Sequence, residues 1–297
     1  MFADDGIWVA GEALIDLVPD ASMNRVDIVG GGPANTAKSL AHLGYTTHFI
    51  GGISTDLHGE AITEELKMYG VNLDLAHYSE LPTATASVTL DETGGAQYEF
   101  SLLNTATFNF QSSWLPHGSP RVLHVGTLAT IVEPGANELW TWARGLKAPI
   151  VFDPNVRPSV MANRDLYRDY VEKWMLISSV VKMSEEDFVW LYPNLKSGRD
   201  LLSFGPHFVV ITHGERGLTA HHSTFSVSVP GIKVDVADTV GAGDTVGAIV
   251  VESIVNLGLE QTQSQVVEVL HRAARAAAIT CSRNGARPPS NHELSNL

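Results

Sequence analysis

The run Asp238-Thr239-Val240-Gly241-Ala242-Gly243-Asp244 puts three small residues and a lone acid directly ahead of a helical apolar pattern. That combination suits anion binding with a proton acceptor beside it. Thr245 to Leu257 carries apolar residues at helical spacing with Gly258 as a stop, and Ile232 to Ala237 alternates apolar and polar residues, so strand, loop and helix are expected in that order. Small residues let the backbone approach a ligand, and the N–H groups of Ala242, Gly243 and Asp244 would point outward at the positive end of the helix. A carboxylate beside a bound phosphate is repelled by it, so Asp244 must have another role. It either accepts a proton from an attacking hydroxyl or caps the helix, which is the commoner role of an isolated Asp. The Gly-Ala-Gly run tips the balance to the base. A dinucleotide fingerprint, Gly241-x-Gly243-x-x-x-Gly247, is the rival reading. It needs a following strand with an acid, where this chain has a second helical stretch, Gln263 to Cys281.

A second glycine cluster, Gly30-Gly31-Gly32-Pro33-Ala34-Asn35, opens a helix with Pro33 in its first turn and Gly44 as its end. Asn35 there offers both a donor and an acceptor to a neutral polyol, while the glycines alone would equally suit a flexible connection. Upstream, Ile7 to Ala10 reads as a strand that Gly11 to Pro19 continues, with Asp16 near its far end. Asp16 either receives two sugar hydroxyls or is a turn acid.

These groups need a frame. Thr47 to Ile53 is strand-like, followed by a helix ending near Gly70. Thr85 to Thr89 and Gln97 to Ser101 flank Glu92-Thr93-Gly94-Gly95 as a hairpin, with Tyr98 or Phe100 placed to close over a sugar face or to pack the hairpin itself. From Val122 onward strands (122–125, 150–152, 180–183, 208–212) alternate with helices starting near Pro134 and spanning 164–177, which predicts an α/β fold whose mostly parallel sheet is covered on both faces. Ligands in such sheets lie off the carboxyl ends of strands, where Asp153-Pro154-Asn155-Val156-Arg157, Ser184 to Asp187 and Thr212-His213-Gly214 fall.

The 297 residues are 44% hydrophobic, ordinary for a packed globular chain, with 19 basic against 33 acidic residues and a net charge of −14. That field repels nucleic acid and anionic membrane, so neither is an expected partner. The start shows neither a signal peptide nor a membrane span, so a cytoplasmic protein is expected. The single cysteine, Cys281, excludes an internal disulfide and sits among small apolar residues as a packing group. His221 and His222 are adjacent in a strand-like stretch, so they should face opposite ways rather than share a metal.

With both glycine motifs in order, the chain resembles the ribokinase-like (PfkB) family of carbohydrate kinases over essentially its whole length. The resemblance implies one kinase domain over 1–297, with a β-lid from about 17–30 and 82–103. It implies that Asp16, Gly31, Gly32, Asn35 and Phe100 hold the sugar with Asn155 and Arg157, the arginine reaching toward substrate or phosphates. It makes Asp244 the base and Gly241, Ala242 and Gly243 the anion hole. It assigns ATP to Lys182, Ser184, Thr212, Gly214 and Gly217, with Gly285-Ala286 near the adenine. It places Mg²⁺ near Asp187 through water, and a monovalent cation such as K⁺ at Asp238 and Val240. Apart from the resemblance, edge strands of the lid can pair with those of another subunit, so a homodimer through the lid is a further expectation. Two departures stand out: Ser54 replaces the family's usual glycine in its turn, and Ser184 with Asp187 replaces an Asn-x-x-Glu motif linked to magnesium. Gly11 to Asp16 and Asp153 to Pro158 are most similar to bacterial fructokinases. The same fragments are similar to 2-keto-3-deoxygluconate kinases, and ribokinases and nucleoside kinases share the scaffold. A sugar sensor that keeps the fold without turnover is the reading from another class, and the intact Asp244 argues against it.

Overall fold

The computed structural model describes residues 6–19, 25–90 and 96–295. The chain opens with β1 (Ile7–Ala10), β2 (Leu14–Pro19), β3 (Arg25–Gly30) and α1 (Gly32–His42). It continues through β4 (Thr47–Ile50), β5 (Gly52–Ser54), α2 (Leu57–Met68), β6 (His77–Ser79), β7 (Thr85–Leu90) and β8 (Ala96–Ser101). Strands and helices then alternate as β9 (Val122–Gly126), α3 (Gly135–Ala143), β10 (Ile150–Asp153), α4 (Arg164–Met175), β11 (Val180–Ser184), α5 (Glu185–Leu191) and β12 (Phe208–Thr212). A hairpin of β13 (Leu218–His221) and β14 (Ser226–Val229) precedes α6 (Ala242–Leu257), α7 (Gln263–Cys281) and α8 (Asn291–Ser295).

Eight strands form the main sheet in the order β14-β13-β12-β11-β10-β9-β1-β4, parallel except where β13 meets its two neighbours. The parallel strands are apolar on both faces because both are covered. On one side Val9, Val122, Val151 and Val180 pack with Val246 and Val250 of α6 and Ala273 of α7. On the other, Ala10, Val125, Phe152 and Val181 pack with Leu139 of α3 and Trp174 of α4. Among the described residues no helix is long and apolar enough to cross a membrane.

A second sheet has the order β3-β2-β7-β8. Gly11 to Pro19 therefore does not continue the first strand. The chain breaks at Gly11 (φ +151), and Asp16 is the third residue of a strand in a different sheet. Thr47 to Ile53 likewise divides at Gly51, where a Cβ would come within 2.5 Å of the Gly11 carbonyl oxygen. The hairpin forms as expected. Its turn, 91–95, and the side chain of Tyr98 lie outside the described residues.

The alternating stretch 232–237 is not a strand. Ile232, Val234 and Val236 are exposed, and no strand is assigned there. Alternation specifies a face, but a strand also needs a partner ladder, and here the sheet has already ended at β14.

Candidate active site

The first turn of α6 is built from the Gly-Ala-Gly-Asp run itself, three residues earlier than the apolar spacing indicates. Gly241 precedes it in the left-handed region (φ +79), and a Cβ there would lie 2.6 Å from the Ala286 Cβ, so both conformation and space demand glycine. The Ala242 N–H is directed to the Thr239 carbonyl (3.3 Å), so it does not face outward as expected. The N–H groups of Gly243 and Asp244 have no partner among the described residues, which is the arrangement that could receive an anion.

Asp244 makes no capping bond to the helix end. Instead its Oδ2 accepts from the Asn35 side-chain amide at 2.8 Å, which ties the start of α6 to the first turn of α1. Both residues are buried, at 7% and 6% exposure, and the other Asn35 side-chain atom, Oδ1, has no partner among the described residues. Burial pushes the Asp244 carboxyl up to about 6, while Lys182 and the Asn35 bond pull it down. An acid poised near 6 is ionised at neutral pH yet basic enough to take a proton.

Gly32 is the point around which three distant segments gather. Where its Cβ would be, Thr127 Oγ1 lies at 3.1 Å, Asn155 Nδ2 at 3.2 Å and Asp244 Oδ1 at 3.3 Å. Gly31 takes φ +107, and a Cβ on it would meet the Glu12 carbonyl at 2.5 Å. Asn155 is also in the left-handed region (φ +38), and its Oδ1 accepts from Arg157 Nη1 at 2.7 Å.

Asp16 faces this group from the second sheet. It pairs with Ile28 and Ala86 on its two sides, and Ala86 pairs with Phe100, so Ile28, Asp16, Ala86 and Phe100 form one cross-strand row. Burial raises the Asp16 carboxyl to about 6, with the Arg157 guanidinium opposing. The sheet is pinned at its base by Asp56, which caps α2 through the Gly59 N–H and also accepts from the Thr83 N–H and hydroxyl at 2.8 and 2.7 Å.

Other assigned residues serve the fold more than the opening. Lys182 is 4% exposed and its Nζ donates to Asp153 Oδ2 at 2.7 Å, behind the helix turn. Ser184 and Asp187 form a reciprocal capping box on α5, and Asp187 Oδ1 also accepts from the Val156 N–H at 3.0 Å. Both Asp187 oxygens are thus engaged, which leaves second lone pairs for a metal-bound water rather than direct ligation. Among the described residues no group of three His, Cys, Asp or Glu side chains is arranged to hold a metal. Asp238 accepts from the Val240 and Gly285 N–H groups at 3.0 and 2.9 Å, so it stitches the anion loop to the 285–286 turn. Thr212 ends β12, and Gly214 and Gly217 shape the turn to β13. Among the described residues no hydrogen bond joins these three to the 238–244 loop.

Two buried carboxylates, Glu12 and Asp153, had no sequence-level assignment. Glu12 is 2% exposed and accepts from the Thr127 hydroxyl and the Leu128 and Ala129 N–H groups. Burial drives its carboxyl up to about 7 against those bonds. Asp153 and Lys182 sit on adjacent strands. Each of these charged residues interrupts or adjoins an apolar strand, and that was the available signal, because a charge placed there needs a partner.

The model of the pfkB family carbohydrate kinases matches residues 5–293. The fructokinase of Escherichia coli is 26% identical across 97% of both chains, and that of Rhizobium leguminosarum bv. trifolii is 32% identical across 84% of this chain and 79% of its own. Among solved structures, Xylella fastidiosa fructokinase with bound ATP superposes with a TM-score of 0.90 at 23% identity, covering 99% of this chain and 98% of that one. A double mutant of Vibrio cholerae fructokinase with fructose, ADP and potassium gives 0.85 at 25%, covering 99% of this chain and 98% of that one. With both glycine motifs meeting at Asn35 and Asp244 and a family match over nearly the whole length, the chain belongs to the pfkB family of carbohydrate kinases.

Proposed function

We propose that this carbohydrate kinase transfers the γ-phosphoryl group of ATP to a primary hydroxyl of D-fructose, forming fructose 6-phosphate. The observation that carries the reading is the 2.8 Å Asn35–Asp244 hydrogen bond, which sets a polyol-binding amide and a buried carboxylate together at a helix N-terminus with unpartnered N–H groups. The sugar would lie over Gly32 among Asn35, Asn155 and Asp16, with the second sheet as its lid. Phe100 shares the Asp16 row and would face the sugar with it.

In the transfer, the sugar hydroxyl oxygen bonds to the γ-phosphorus and its proton passes to Asp244. The bond to the bridging β,γ-oxygen breaks, and ADP leaves with that electron pair. The N–H groups of Gly243 and Asp244 take the charge on the transferring oxygens, and Arg157 adds positive charge from the Asn155 side. Asp187 would hold a nucleotide-bound magnesium through water, and such an ion would supply neutralisation of phosphate charge. Lid closure excludes water that would otherwise compete with the sugar as nucleophile.

Fructose is favoured over ketodeoxygluconate, ribose and nucleosides by the relatives, which are fructokinases at 26 to 32% identity. Phosphorylation rates across those four acceptors with ATP test the assignment. Fructose should give the highest kcat/KM, and a higher value for another acceptor would replace it. Exposed Val26 and Ile28 lie on the same lid face as Asp16 and support pairing of two lids. A scattering mass equal to one chain would exclude that dimer.

A further inference from the structure

Behind the first turn of α6 lies a buried charge cluster that the transfer step does not use. Its cation is Lys182 on β11. The ammonium sits 3.2 Å from where a Gly243 Cβ would be, next to the residue that precedes Asp244, and is held there by Asp153 on β10. Both side chains are about 5% exposed. A lysine so enclosed cannot reach out to a nucleotide without breaking its ion pair and leaving Asp153 charged and buried. Gly243 also leaves no side chain between the ammonium and the helix turn that carries Asp244.

We propose that Lys182 is a positioning residue acting through Asp244: from behind α6 it holds the catalytic carboxylate in its proton-accepting form, and Asp153 limits how strongly it does so. The proposal rests on the kinase reading above. It follows from the arrangement of charge. The charges acting on Asp244 are Lys182 from β11, Asp153 from β10 and Arg157 from the following loop, and the neutral Asn35 amide of α1 is hydrogen-bonded to it. Farther in, Asp187 of α5 acts on Lys182, and His124 of β9 faces the Asp153–Lys182 pair as a neutral ring, its basicity lowered to about 4 by burial. Lys182 is the buried cation in this group, set against three buried carboxylates. Burial opposes its charge, but Asp153, Asp244 and Asp187 together push its ammonium above the usual range, so it stays charged at every working pH. Burial alone would leave Asp244 protonated too readily. Lys182 is the largest influence against that, and Asp153 works the other way. Two opposed charges on adjacent strands thus set the base from behind, with neither touching substrate.

The test is the acid limb of kcat against pH, measured with the acceptor that wild type uses best, for Lys182→Met, Asp153→Asn and the double variant. Loss of a charge at this range should move the limb by about one pH unit or more. Lys182→Met should move it to higher pH, with activity recovered in alkali, and Asp153→Asn should move it to lower pH. The double variant should fall between the two singles, near wild type. A folded Lys182→Met protein with an unmoved limb and a raised KM for ATP would overturn the proposal in favour of direct phosphate binding. If Lys182→Met does not fold, the Asp153→Asn limb decides, and no shift to lower pH overturns the proposal. Wild type that phosphorylates no acceptor would instead refute the kinase reading, before any variant is compared.

Discussion

Asn35 and Asp244 lie 209 positions apart in the chain, and their side chains meet in a buried 2.8 Å hydrogen bond. The bond orients both groups. Asn35 gives its N–H to the carboxylate, so its Oδ1 remains as an acceptor for a sugar hydroxyl, and Asp244 keeps Oδ1 beside Gly32 where that hydroxyl would sit.

Asp244→Asn should therefore separate chemistry from folding. The amide keeps an acceptor for Asn35 and nearly the same shape, so thermal stability should change little. Loss of a general base should lower kcat by about 10² to 10⁴ with the sugar KM nearly unchanged. Near wild-type turnover in a folded variant would remove Asp244 as the base.

Two carboxyls near the site titrate around pH 6, Asp16 and Asp244. Both are needed ionised in the free enzyme, so log kcat/KM for sugar should fall below pH 6 with a slope approaching two. Bound sugar holds Asp16 ionised through its hydroxyls, so kcat should fall with a slope of one. Asp16→Asn should raise the sugar KM, spare the ATP KM and reduce the kcat/KM slope to one. A slope still near two in that variant would place the second titration elsewhere.

Glu12 has its carboxyl raised from 4.5 to about 7, so its contribution to stability is fully present below 4.5 and lost as pH rises through 7. Wild type minus Glu12→Gln stability, from urea unfolding, should fall between pH 4.5 and 8 by on the order of 2 to 3 kcal/mol. A difference independent of pH would show that Glu12 is not so perturbed.

Asp56 works in the opposite sense. Burial opposes its charge, but the bonds from Thr83, Gly59 and Ser54 outweigh it and hold its carboxyl below the usual range. Its contribution is thus present above about 4 and lost as pH falls. Asp56→Ala should cost about 1 to 2 kcal/mol at pH 7 as a lost helix cap and less in acid. Because the same carboxylate pins Thr83, the sugar KM should rise as well. Unchanged sugar affinity would mean that the second sheet does not depend on this pin.

Much of the frame was legible in the sequence because its signals are local. Ile7–Ala10, Phe208–Thr212 and Gln263–Cys281 have the bounds their apolar patterns indicate. Where pattern and structure part, the missing information is non-local. Ile232, Val234 and Val236 alternate but find no neighbouring strand, and Gly11 sends Asp16 into another sheet. The two glycine motifs were readable because each is a contiguous run with one conformational purpose. The Glu12–Thr127 and Asp153–Lys182 pairs were not, because the first joins the loops after β1 and β9 and the second joins β10 to β11, and only the sheet order makes these strands neighbours.

The link between Asp238 and Gly285, with Ala286 packed against Gly241, has an evolutionary consequence. The 238–244 loop and the turn expected near the adenine are joined by this side-chain-to-backbone bond and this contact, so they cannot drift independently. A larger residue at 286 would press on Gly241 before it altered any contact with a base. Variation toward other phosphoryl donors is therefore channelled away from this turn and onto the β12–β13 connection, where Gly214 has open space around it and no bond to the anion loop.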